Sequence, residues 1–181
     1  MKRPIVDSPI DLVLRPVTAA DDEFLLRVYA DTRVHELALT AWDQPRREAF
    51  VRMQYQAQAA HYRAHWPAAE YSVIEAHDDK THHDVGRLWL HHRPDAIHVL
   101  DIAMLADWRG RGIGTRCLQR LMNEADVTGR AVTIHVESGN QARHLYARLG
   151  FQPVGEPDGL HQRMAWRRVP TKTMEVCDEQ A

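Results

Sequence analysis

Asp101-Ile-Ala-Met-Leu-Ala-Asp-Trp-Arg-Gly-Arg-Gly-Ile-Gly-Thr115 decides the fold of this chain. The apolar, partly β-branched run Ile97–Leu105 reads as a buried strand. After Thr115, the residues Cys117, Leu118, Leu121, Met122 and Ala125 fall at helical spacing. The join between strand and helix is Arg109-Gly110-Arg111-Gly112-Ile113-Gly114. Glycine has no Cβ, so the backbone there can take unusual φ/ψ and a ligand can come close. The amides of such a loop, at the first turn of a helix, converge on one spot, where the helix dipole adds about half a positive charge. This is an anion site, best suited to phosphate. A P-loop would need a lysine that is absent, and a dinucleotide fingerprint would need glycine where Thr115 stands. A basic, solvated turn at a helix start would use the same residues, so the loop alone leaves both readings open.

Bulk properties narrow the classes. A chain of 181 residues suits one domain with a real core. The net charge of −2 suggests neither a nucleic-acid nor an anionic-membrane partner. Lysine occurs only at Lys2, Lys80 and Lys172, so nearly all positive charge is arginine. The start, Met1-Lys-Arg-Pro4, lacks an apolar stretch behind it and is expected not to be a signal peptide. No apolar run approaches the ~20 residues that span a bilayer. Cys117 in a helix and Cys177 in a polar tail are expected to stay unpaired, which makes the cytoplasm the default compartment.

Along the chain, residues 1–10 form an N-terminal arm, 11–169 the domain and 170–181 a polar tail. Asp11–Val17 reads as a strand with Leu12 and Leu14 on one face. Thr18-Ala-Ala-Asp21 resembles a capping box before a helix through Phe24, Leu25, Val28 and Tyr29. Thr32–Trp42 reads as less regular. Pro45 suits the first turn of a second helix, with Phe50, Met53, Ala57, Ala60 and Ala64 as its apolar stripe and Pro67 as its stop. Strands follow at Glu70–Ala76 and Val85–His91, with a turn at His77–Thr81, before the strand at 97–105. Beyond the central helix, Thr128-Gly129 breaks the pattern and Ala131–Glu137 alternates as a strand. Gly139 and Asn140 open a short helix that Gly150 stops. Phe151–Val154 and Gln162–Arg168 are the last strands. The order β-α-α-β-β-β-α-β-α-β-β predicts an α/β fold, a mixed seven-stranded sheet with helices on both faces.

Arg109-x-x-Gly112-x-Gly114 after a strand resembles the acetyl-CoA pyrophosphate loop of the GNAT acetyltransferase superfamily, [RQ]-x-x-G-x-[GA]. A second stretch, Asn140-Gln-Ala-Arg-His-Leu-Tyr-Ala-Arg-Leu-Gly-Phe151, resembles the GNAT pattern N-x(x)-A-x-x-x-Y-x-x-x-G-F. Ala142, Tyr146, Gly150 and Phe151 fall on that frame, and the order of elements is the GNAT order. The sequence departs from the family pattern at Met104, Leu105 and Ala106, where a Val and a Pro often stand, and in the spacing of Asn140.

The resemblance implies acetyl transfer from acetyl-CoA to a primary amine, by direct attack, on a small molecule or a protein. It implies cofactor contacts from Ile102, Met104, Arg109, Gly110, Arg111, Gly112, Ile113, Gly114, Thr115 and Asn140. It gives Tyr146 the role of general acid toward the departing thiolate. An ordinary tyrosine pKa near ~10 leaves it protonated and able to donate; packing beside Leu145 and Leu149 is the plainer alternative. For the base, Asp101, Glu137 and a water chain stay open. The acceptor is expected over the first two helices, with Glu36, Trp42 and Gln54 as candidates beside Asp43 and Tyr55; an acid with an aromatic suits a cationic amine. A homodimer is compatible with such a fold. The adjacent pairs His82-His83 and His91-His92 read as solvated turn residues, and no metal is expected. Ser138 and Cys117 show no paired base. The rival from another class is a non-catalytic acyl-CoA-binding sensor with the same fold.

Overall fold

The computed structural model describes residues 10–77 and 81–168. The N-terminal arm to residue 9, the tail with Cys177, and residues 78–80 of the expected turn lie outside them. Strands β1 (Asp11–Pro16), β2 (Glu70–His77), β3 (His82–His92), β4 (Ala96–Met104), β5 (Ala131–Glu137), β6 (Gln152–Pro153) and β7 (His161–Trp166) form one sheet in the order β1-β2-β3-β4-β5-β7-β6. Only β4 and β5 run parallel; every other neighbouring pair is antiparallel. The helices are α1 (Asp22–Ala38), α2 (Gln44–His65), α3 (Ile113–Val127) and α4 (Ala142–Arg148). This is the expected mixed seven-stranded sheet with helices on both faces.

Two cores sit on opposite faces. On one, α3 and α4 cover Leu88, Leu90, Val99, Val132 and Ile134 through Ile113, Leu118, Leu121 and Tyr146. On the other, α1 and α2 meet over Val73 through Leu25, Tyr29, Val51 and Tyr55. The parallel β4–β5 step requires a crossover, and α3 supplies it. A 3₁₀ turn at Ala19–Asp21 starts α1 with a capping box on Thr18, as its sequence predicts. Asp21 also takes two hydrogen bonds from Arg15, which reaches Glu75 and Asp84 as well.

Three local expectations are corrected. The less regular stretch starts later than Thr32: α1 continues to Ala38, and only residues 39–43 before α2 are non-helical. Thr32 turns its hydroxyl back to the Tyr29 carbonyl (2.6 Å), and Arg33 pairs with Glu36 (3.0 Å), so the polar residues support the helix. The buried stripe of α2 is Val51, Tyr55 and Ala59, whereas Met53 is 57% exposed. Alanines scattered round the helix made its period ambiguous; the large residues settle which face is buried. Leu14 shares a face with Leu12, as expected, and lies 39% exposed on the edge strand β1. The four paired histidines belong to β3, not to turns; His82 and His83 are exposed, while His91 and His92 are half-buried.

Candidate active site

The parallel ladder between β4 and β5 is short. It runs from Ala96 opposite Ala131 to Val99 opposite Ile134 and then stops. Beyond it, Asp101–Met104 pair only with β3, and His135–Glu137 only with β7. The strands therefore part into a wedge in the middle of the sheet. Its walls are unpaired strand edges, which can hydrogen-bond an extended ligand carrying amide groups. The β3–β4 register shifts between Trp89 and Leu90, leaving Leu100 as the extra residue at the start of the wedge. Tyr62, near the end of α2, donates its hydroxyl proton to the Leu100 carbonyl at 3.0 Å. Ile102 and Met104, the expected cofactor residues of the strand, lie half-buried on the far part of this wall and pack on the α3 core.

The glycine loop lies at the mouth of the wedge. Gly110 and Gly112 have φ of +73° and +77°, and the space beside each is open. Gly112 is the N-cap of α3. Arg116 N–H makes the first helical bond, to the Gly112 carbonyl at 3.0 Å, so the amides of Ile113, Gly114 and Thr115 have no helical partner. Free amides at a helix start are the arrangement that suits an anion. Gly114 differs from its neighbours: a Cβ there would stand 3.6 Å from Met104 Cε and 3.8 Å from Leu145 Cδ2, in ordinary contact. Arg109 donates from Nε to the Met104 carbonyl (3.0 Å), tying the loop to the strand end. The Arg111 guanidinium lies 4.6 Å from the Trp108 ring centre. Asp31 of α1 accepts from the Ala106 N–H at 2.7 Å and holds the loop from the other face.

Tyr146 is buried in α4, its ring 5.9 Å from that of Phe151. Burial first, and the Asp101 charge second, push its phenol up to about 12, so it is fully protonated at neutral pH. Burial and the same carboxylate likewise push Tyr62 up to about 12. Asn140 is committed locally: its Oδ1 accepts from the Ala142 N–H at 2.9 Å and starts α4. Gly150, at φ +90°, ends that helix. Of the two carboxylates considered as base, Asp101 stands on the wedge strand, and Glu137 is exposed at the end of β5, 3.9 Å from His161. Cys117 is buried in the core and burial pushes its thiol up, which suits packing rather than attack. Ser138 spends its hydroxyl proton on the Leu160 carbonyl. Among the described residues, no group of three or more His, Cys, Asp or Glu side chains could hold a metal ion.

Arg87 is a site residue that sequence reasoning missed. It is 1% exposed on β3 and donates from Nη2 to Asp101 Oδ2 at 2.6 Å and to Gln58 Oε1 at 3.2 Å. Its guanidinium carbon lies 4.5 Å from the Trp89 ring centre and 5.8 Å from that of Tyr29. The available signal was a lone charge inside Val85-Gly-Arg-Leu-Trp-Leu90, a strand otherwise apolar on both faces. Gly86 was missed too. A Cβ there would come within 2.4 Å of the Ala103 carbonyl oxygen, so β4 runs against bare backbone.

The acceptor candidates are not assembled into one constellation. Glu36 pairs with Arg33 at 3.0 Å. Trp42 stacks edge-on against Phe50 (5.0 Å) and carries the Arg46 guanidinium at 4.7 Å. Gln54 accepts from the Tyr29 hydroxyl at 3.3 Å. Asp43 caps α2 by accepting from the Arg46 N–H (3.1 Å), and Tyr55 donates its proton to Asp22 at 2.9 Å. A cavity of about 290 Å³ opens between α2, the turn before α1, β2 and β3, with Thr18, Tyr55, Arg63, Tyr71 and Trp89 on its wall.

Residues 68–153 match the family model of the acetyltransferase (GNAT) domain. Solved structures share the fold. The PaiA N-acetyltransferase of Thermoplasma acidophilum, solved with coenzyme A, is 16% identical; the match covers 87% of this chain and 99% of that one, with a TM-score of 0.62. An acetyltransferase of Thermus thermophilus is 19% identical over 87% and 97%, with a TM-score of 0.59. The spermidine N-acetyltransferase of Vibrio cholerae, solved with CoA and spermine, is 17% identical over 86% and 95%, with a TM-score of 0.56. A sequence search of curated proteins found no match. The matched segment runs from just before β2 into β6, and so includes the wedge strands, the glycine loop and Tyr146. Among the described residues no helix is long and apolar enough to cross a membrane.

Proposed function

We infer, from a GNAT fold whose wedge and glycine loop lie within a GNAT-domain match, that this protein transfers an acetyl group from acetyl-CoA to a primary amine by direct attack. The observation that carries the reading is the short β4–β5 ladder ending beside an amide cradle. One feature suits an extended amide-bearing arm, the other a pyrophosphate, and coenzyme A has both. In this reading the amides of residues 110–115 bind the pyrophosphate, with Arg109 and Arg111 adding charge. The freed backbone edge of Ile102 and Met104 receives the pantetheine, and Asn140 stands at the far wall. Tyr146 keeps its proton until the tetrahedral intermediate collapses, then passes it to the departing thiolate. The amine must lose a proton to attack; Asp101, Glu137 or a chain of waters takes it.

The acceptor enters over α1 and α2, a small molecule or a peptide amine, with Glu36, Trp42 and Gln54 as its candidate contacts. The protein works without a metal, in the cytoplasm, and its fold leaves a sheet edge at β6 on which a homodimer could form. A thiol-release assay with acetyl-CoA tests this reading against spermidine, tyramine, free amino acids and a lysine peptide. Release with any one of them supports acetyl transfer. Tight CoA binding with no release across the panel would instead favour a non-catalytic acyl-CoA sensor.

A further inference from the structure

A buried arginine with a single carboxylate partner is costly. Desolvating two charges can exceed their mutual attraction, so such a pair is weak evidence for stability. Arg87 is nevertheless held firmly: Gln58 of α2 and Asp101 of β4 share its Nη2, and the Trp89 and Tyr29 rings lie close to the guanidinium. Its Nε and Nη1 have no hydrogen-bond partner, and aromatic faces are the natural neighbours of such a cation. Asp101 is its one ion-pair partner among the described residues. Asp101 sits directly opposite Trp89, just past the last β4–β5 pair, where the wedge opens. Arg87 takes only its Oδ2, and Oδ1 makes no hydrogen bond among the described residues. The Tyr146 phenol lies within the field of the same carboxylate. One oxygen is thus fixed from behind, and the other is left for a ligand.

We propose that Arg87 is a positioning residue, locking Asp101 so that its Oδ1 holds the ammonium of the acceptor at the wedge, which selects cationic amines over neutral nucleophiles. This rests on the acetyl-transfer reading. The probe is whichever of spermidine, tyramine and the lysine peptide the wild type acetylates fastest; if none is acetylated, acetyl transfer itself has failed. With that amine, Arg87→Met and Asp101→Asn should each raise its KM by roughly 10- to 100-fold, the range for a lost charge-assisted hydrogen bond. The KM for acetyl-CoA should stay within about twofold. The double variant should be no worse than either single one, because both remove the same contact. Arg87→Lys, which keeps the charge, should recover part of the loss. If Arg87→Met does not fold, Arg87→Lys and Asp101→Asn still give the KM split. Unchanged amine KM with a lowered melting temperature would make the pair purely structural and overturn the proposal. So would additive losses in the double variant.

Discussion

The two sides of the wedge are built in different ways. On the α3 side, the site is backbone: two glycines at positive φ, a helix N-terminus and two unpaired strand edges. On the α1–α2 side, it is side chain: Arg87, Asp101, Tyr62 and Gln58 converge from two strands and a helix. A backbone site is specified by local sequence, because glycines at fixed offsets dictate its shape. A side-chain site is specified by packing between distant segments, and its members stand far apart in the chain. The first kind suits a ligand part recognised by charge and amides; the second suits one recognised by side-chain chemistry.

The largest effect should come where the two sides meet. Tyr146→Phe keeps the ring and its packing and removes only the hydroxyl, the proton donor of the proposed mechanism. Turnover should fall by about 10²–10⁴-fold while CoA affinity holds, read by steady-state rates alongside calorimetric titration of CoA. Full turnover in this variant would make Tyr146 a packing residue and place catalysis entirely on the other wall.

Next comes a pure test of the backbone side. Gly112→Val places a β-branched residue at φ +77°, a strained conformation costing on the order of 1–3 kcal/mol. The dissociation constant for CoA should rise roughly 10- to 100-fold. Binding of pantetheine, which lacks the pyrophosphate, should hardly change. Equal weakening of both ligands would mean that the loop shapes the whole wedge rather than one anion site.

The side-chain half can be loosened by itself at the start of α1. The Arg15 guanidinium, first of several causes, holds the Asp21 carboxyl well below its ordinary range. A depressed folded-state pKa gives stability that is present above the unfolded value, near ~3.9, and lost as pH falls through the folded value. Asp21→Asn should therefore lower stability at neutral pH by about 2 kcal/mol, through the lost cap and ion pair. The difference from wild type should shrink below about pH 4, as thermal unfolding between pH 7 and 3 would show. CoA affinity should not move; if it did, the two sides would be coupled through α1, where Asp31 holds the loop.

The smallest expected effect is none. Exhaustive EDTA treatment should leave acetyl transfer unchanged. A loss restored by Zn²⁺ would give the histidines of β3 a role that neither side of the comparison includes.

This contrast also explains what could be read in advance. β5 was legible to the residue, since Val132, Ile134 and Val136 alternate cleanly. The loop and the α4 frame were legible because glycine and tyrosine spacing carries them. The wedge itself was not. Where a parallel ladder stops depends on a register shift at Leu100 and on which outer strand competes for each edge. Arg87 could not be placed either, because a charge in an apolar strand acquires meaning only once its partner, fourteen residues away in the chain, is known. The acceptor residues Glu36, Trp42 and Gln54 were chosen by type and by a place over the first two helices, and the structure gives each its own local partner.

Gly86 bears on how this gene can change. Every missense codon one base away from a glycine codon encodes a residue with at least a β-carbon. At this position that carbon would fall 2.4 Å from the Ala103 oxygen and 2.7 Å from Met104 Sδ. No single-base missense change at this codon is therefore sterically neutral. The displaced strand end is the one whose carbonyl anchors Arg109, so the damage would travel to the glycine loop without any change in its own sequence.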